Sequence, residues 1–144
     1  DLGSHLLDIS LFLFNGKLRK LKLIQVNKFE NKSPDHALFS LKIKNTIVNL
    51  EMNYTMWKNS FYLDLIGSKG SLHIDSLCKW SNSKLTFRKR KFPSGKPSEK
   101  IIIFKKGDPT WKIENNFFKN KIKIKSKTNL QKDILINKSL NKLI

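Results

Sequence analysis

Apolar residues recur at helical spacing from Leu2 to Phe14, with Leu2, Leu6, Ile9 and Leu13 on one stripe and Leu7, Leu11 and Phe14 beside it. The spacing predicts a mostly buried amphipathic helix, and Asn15-Gly16 supplies its C-terminal stop. Beyond it the period drops to two. Leu21 and Leu23, then Phe39, Leu41 and Ile43, then Leu50, Met52 and Tyr54, then Phe61, Leu63 and Leu65 sit between polar neighbours, as in half-buried strands. Ser33-Pro34-Asp35, Lys44-Asn45-Thr46 and Lys58-Asn59-Ser60 break these segments apart. Gly67-Ser68-Lys69-Gly70 reads as a tight turn into a strand at Ser71 to Ile74. Phe92-Pro93-Ser94-Gly95-Lys96-Pro97 reads as the loop joining strands at Lys84 to Lys91 and Lys100 to Phe104. After Gly107-Asp108-Pro109 helical spacing returns, through Trp111, Asn115 and Phe118 or through Ile113 and Phe117. Thr128 to Ile144 then forms a closing helix through Leu130, Ile134, Leu135 and Leu140.

The order predicts an α+β fold: an open, mostly antiparallel (mixed) β-sheet of about six strands with helices on one face. No internal repeat or long linker divides the chain, so residues 1–144 are expected to form a single domain. Tyr54, Trp57, Tyr62 and Trp80 fall on or near strands, and the uncovered sheet face is expected to pack against another subunit or domain.

Charge changes this picture less than its size suggests. The 144 residues carry 29 Lys and Arg against 11 Asp and Glu, a formal net charge of +18. Clustered cations suit phosphate neutralisation. Yet only Arg19, Arg88 and Arg90 are Arg, and the guanidinium is the group that reads bases and clamps phosphates. With Ala37 as the single Ala and Val26 and Val48 as the only Val, the Lys excess reads as a compositional habit, and a nucleic-acid-binding domain ranks last among the functions weighed. Arg88-Lys89-Arg90-Lys91 is expected on an exposed edge strand, and Lys121, Lys123, Lys125 and Lys127 on solvated surface. The one cysteine, Cys78, allows no internal disulfide and reads as a small buried hydrophobe, which points to a cytoplasmic protein. No apolar run reaches the ~18 residues of a membrane span.

The first helix opens D-L-G-S-H-L-L-D, placing Asp1, His5 and Asp8 at i, i+4 and i+7 on one helical face. A carboxylate one turn from an imidazole can orient the ring for acid–base work near neutral pH. Spacing alone also allows Asp1 as a helix cap, His5 as a hydrogen-bonded core residue and Asp8 as a surface charge. His36 and His73 have no ligand-spaced partners, so no metal site is expected. Glycine-rich dinucleotide, phosphate-loop and G-x-S-x-G nucleophile motifs are absent from the sequence.

The order of motifs resembles the C-terminal domain of the Gfo/Idh/MocA oxidoreductases, named for glucose-fructose oxidoreductase and inositol dehydrogenase. The resemblance rests on D-L-G-S-H-L-L-D, then strands, then G-S-K-G-S-L-H-I, then Pro109-Thr110-Trp111 with Glu114, Phe117 and Phe118, and a closing helix. It implies the substrate-binding and oligomerisation domain of a longer, two-domain NAD(P)-dependent enzyme. NAD or NADP would be bound mainly by an N-terminal Rossmann domain, whose glycine-rich loop and Glu-Lys-Pro segment are not in this sequence. The implied substrate is a sugar, sugar nucleotide or cyclitol, oxidised at a secondary hydroxyl. By the same resemblance His5 matches the catalytic acid/base, Asp1 the catalytic carboxylate that supports it or positions substrate, and Asp8 a substrate-binding or supporting position. The partners implied are that Rossmann domain, a sugar-type substrate and further copies through the sheet, with no membrane. The chain alone is expected to be inactive; the alternative is a non-catalytic, sheet-mediated scaffold.

Overall fold

The structure is a computed structural model that describes residues 2–15, 17–77, 81–105, 107, 109–124 and 130–143. Asp1, Gly16, Cys78, Trp80, Asp108, Lys125, Lys127 and Thr128, all singled out in the sequence, lie outside the described residues. In chain order the elements are α1 (Leu2–Phe14), β1 (Arg19–Asn27), β2 (His36–Ile43), β3 (Thr46–Asn53), β4 (Tyr62–Gly67), β5 (Gly70–Asp75), β6 (Ser83–Lys89), β7 (Ser98–Phe104), α2 (Thr110–Lys123) and α3 (Gln131–Asn141). The fold is α+β and every described strand pair is antiparallel. The expected single sheet of about six strands is instead two sheets, one in the order β1-β2-β3 and one in the order β4-β5-β6-β7. A local turn follows β3 at the break. Asn53 Oδ1 accepts hydrogen bonds from the Thr55 amide (2.8 Å) and hydroxyl (2.7 Å), turning the chain where a further ladder would begin.

The chain forms two compact units, residues 1–56 with 127–144, and residues 57–126. In the first, α1 and α3 cover one face of the three-stranded sheet. Ala37, Phe39 and Leu41 of β2 face Met52, Leu50 and Val48 of β3, because directly opposed residues in antiparallel strands share a face. With Leu7 and Leu11 of α1, Ile43, and Ile136 of α3 they build the core. The buried stripe of α1 is Gly3, Leu7, Ser10 and Leu11, one position round from the stripe expected, and Leu13 is exposed. Small residues account for the shift. Gly3 lies close to Phe39, Met52 and Leu140, and Ser10 is buried with its hydroxyl donating to the Leu6 carbonyl at 2.8 Å. Asn15 ends the helix in the left-handed conformation, φ 41°, as a helix-stopping Asn can.

In the second unit a two-residue turn, Ser68-Lys69, joins β4 to β5 with Gly67 opposite Gly70. Gly70 is required by close approach: a Cβ built there would lie 2.2 Å from the Arg88 carbonyl oxygen. Arg88 and Lys89 were expected on an edge, yet β6 is an inner strand, paired with β5 and β7. Arg88 tolerates that place because Glu99, opposite it on β7, accepts its Nε–H at 2.5 Å. No α2 residue is buried, and Trp111, Ile113, Phe117 and Phe118, placed on helical faces by their spacing, are all exposed.

Candidate functional site

The α1 helix presents His5 and Asp8 to solvent on the side away from the Leu7 and Leu11 core stripe. His5 is therefore not a core histidine. Asp8 forms an ion pair with Lys132 of α3, which ties the two covering helices together at the surface. Asp1 lies outside the described residues, so the structure brings His5 and Asp8 onto one helix surface and leaves the third member unplaced. At the start of the helix the Tyr54 hydroxyl is 3.4 Å from the Leu2 amide, one of the amide donors that a helix leaves unsatisfied at its N-terminus. Tyr54 is half exposed there, one turn from His5.

Asp35, which the sequence marks only as part of a turn, is the most buried charged side chain described, 1% exposed. Its carboxylate accepts the backbone N–H groups of Glu30 (2.8 Å), Phe29 (2.9 and 3.1 Å) and Asn31 (3.1 Å). Its own backbone bonds to Asn27 and Tyr54, so one residue pins the β1–β2 connection against the end of β3. The Glu30 amide foremost, then that of Phe29, pull the pKa down to about 2, against the opposing effect of burial. The electrostatics make this a structural anchor, ionised throughout the neutral range.

His36 and His73 both have partners that sequence spacing does not reveal. His36 Nδ1 accepts from Asn27 Nδ2 (3.2 Å), which leaves Nε2–H to donate to Glu51 (3.1 Å). His73 Nδ1 bonds to Asp64 on β4, and its Nε2 lies 2.8 Å from the Ser71 hydroxyl. The signal for the Asp64 pair was present in the turn, since a two-residue Ser68-Lys69 loop dictates that residue 64 faces residue 73. An open cleft of about 440 Å³ lies at one end of this sheet, with Lys58, Tyr62, Asp75, Ser76, Ser81 and Lys84 among its walls. Among the described residues, no group of three or more His, Cys, Asp or Glu side chains could hold a metal ion. No described helix is long and apolar enough to cross a membrane.

A family model described as the GFO/IDH/MocA C-terminal domain matches residues 1–73, from the α1 helix through His73 of β5. Comparison with curated proteins and with solved structures gave no match.

Proposed function

Because the chain belongs to the GFO/IDH/MocA C-terminal domain family, we propose that it is the substrate-binding part of an NAD(P)-dependent oxidoreductase acting on a secondary hydroxyl of a sugar, sugar nucleotide or cyclitol. The observation that carries the reading is the family match over a segment that starts with α1, together with the exposure of His5 on that helix. An exposed imidazole can reach a substrate hydroxyl, take its proton as the alcohol is oxidised, and return it in the reverse direction. Asp1 supports that imidazole or positions the substrate. Asp8 acts from the same face, and its pairing with Lys132 holds the helix surface in place.

The described residues of this chain do not fit a dinucleotide. Among the described residues both sheets are antiparallel, with no strand–helix–strand crossover and no glycine-rich strand-to-helix turn to cradle a pyrophosphate. The nicotinamide dinucleotide, which supplies hydride chemistry when bound, therefore falls to an N-terminal Rossmann domain of the same protein. Assembly through the sheet of the second unit belongs to this proposal. The side of that sheet carrying Leu65, Leu72, Phe87 and Lys100 leaves Phe87 47% exposed, and Ile102 is 39% exposed.

The test is His5→Gln in the full-length protein. Turnover of a polyol or sugar substrate falls by at least about 100-fold while dinucleotide binding, followed by nicotinamide fluorescence, is unchanged. Unchanged turnover refutes the role given to His5.

A further inference from the structure

One face of the four-stranded sheet carries two neighbouring rows of side chains. Asp64, His73, Thr86 and Ile101 form one row, and Ile66, Ser71, Arg88 and Glu99 form the next. His73 joins the rows, with Nδ1 on Asp64 and Nε2 2.8 Å from Ser71 Oγ. An ionised carboxylate can only accept, so in the neutral imidazole Nδ1 carries the proton and the Nε2 lone pair faces the hydroxyl. The direction of the chain is thereby set: Ser71 donates to His73, and His73 donates to Asp64. A base within reach of a hydroxyl, with an acid behind it that holds the ring, is the arrangement that makes serine a nucleophile.

We infer that Asp64, His73 and Ser71 form a nucleophilic serine centre that takes acyl esters. Ser71 Oγ bonds to the ester carbonyl carbon as its proton passes to His73 Nε2. The tetrahedral species breaks its bond to the alkoxy oxygen, and the alcohol leaves with that proton. Water then attacks the acyl-serine, giving a proton to His73; the carboxylic acid departs and Ser71 recovers the proton. Ester and water become acid and alcohol, with no other reactant. Asp64 is a positioning residue acting through His73. Arg88, opposite Ser71 on β6, lies on the same row with its Nε–H held by Glu99. Ile66, opposite Ser71 on β4 and 84% exposed, offers an apolar surface beside the hydroxyl for the acyl group. Ser71 and His73 are half-buried and Asp64 is exposed, so an ester can approach from solvent. None of these residues lies on α1, and the centre stands or falls apart from the oxidoreductase reading.

The test uses a fluorophosphonate on the full chain: Ser71 Oγ bonds to phosphorus, fluoride leaves, and the serine proton passes to His73. Peptide mass spectrometry is expected to place the label on Ser71. Labelling is abolished in Ser71→Ala and slowed at least about 100-fold in His73→Gln and about 10-fold in Asp64→Asn. Amide exchange across β4–β7 reports that each variant keeps its sheet; a variant that loses protection there is replaced by His73→Asn or Asp64→Ser. An unlabelled wild-type chain, label elsewhere, or Ser71 labelling at an equal rate in the folded His73 and Asp64 variants overturns the proposal. The hydroxyl would then serve only to satisfy the imidazole.

Discussion

Replacing Gly70 by Ala tests whether the β5–β6 ladder depends on backbone contact at this glycine. The new Cβ would stand 2.2 Å from the Arg88 carbonyl oxygen, about 0.8 Å inside the shortest separation that real Cβ atoms show. The obstacle is backbone, so no rotamer change relieves it, and the start of β5 must move away from β6. A displacement approaching 1 Å breaks hydrogen bonds of ordinary length, and the bonds at risk are the two that flank Gly70, between Ser71 and Arg88 and from the Arg90 amide to the Lys69 carbonyl. Two lost bonds at about 0.5–1.5 kcal/mol each give a cost of about 1–3 kcal/mol. Alanine restricts the unfolded chain and returns about 0.4–1 kcal/mol. From the middle of both ranges the net destabilisation is about 1.3 kcal/mol, roughly a 10-fold change in the opening equilibrium. Gly67→Ala is the matched control, because its Cβ would meet only the Gly70 oxygen at an ordinary 3.6 Å. Amide hydrogen exchange by mass spectrometry, on peptides covering 70–75 and 83–89, is expected to show that loss of protection in Gly70→Ala and almost none in Gly67→Ala. Equal protection in the two variants, or a Gly70→Ala sheet as protected as wild type, refutes the reasoning.

Four further outcomes follow from the first unit and from assembly. Leu7→Ala, at a fully buried position, costs about 2–5 kcal/mol in urea unfolding, whereas Phe12→Ala, at a residue 78% exposed on the same helix, changes stability by less than about 0.5 kcal/mol. Asp35 has a folded pKa of about 2, below its ordinary 3.8. Its stabilisation is therefore complete above pH 4 and is lost as pH falls toward 2; acid titration followed by circular dichroism should show this step in wild type and lose it in Asp35→Asn. Asp8→Asn breaks the pair with Lys132 at a cost below about 1 kcal/mol, smaller still at high salt, because both side chains are substantially exposed. Phe87→Glu shifts the chain to the monomer in size-exclusion chromatography if the second sheet mediates assembly; an unchanged elution position excludes that surface.

Local periodicity made most of the architecture legible, and longer-range pairing set its limit. The alternation of Phe39, Leu41 and Ile43 announces a strand with one buried face, and the structure buries all three with Ala37 beside them. The two-residue turns at Lys44-Asn45 and Ser68-Lys69 also fall where expected. The face of α1 was misplaced by one residue because hydrophobicity favours Leu2, Leu6, Ile9 and Leu13, while contact with Phe39 and Leu140 selects the small Gly3 and Ser10 side. The division into two sheets falls after β3, where Asn53 makes two short-range hydrogen bonds that leave no hydrophobic signature. His5 and Asp8 were visible as a spacing on a helix. His73 was passed over because its partner lies nine residues away across a turn, and Asp35 because its ligands are backbone amides, which every sequence contains.

The chain leaves its first unit at residue 56 and returns to it at residue 127. Ile136 of α3, 3% exposed in that core, is thus the last core residue to be synthesised, long after the strands it covers. Residues 57–126 contain every strand of the second sheet and can close on themselves as they emerge from the ribosome. The first unit has only α1 over its sheet until α3 arrives and Ile136 closes the core. Within these residues order of synthesis and order of folding are therefore inverted, and the unit begun first is the one completed last.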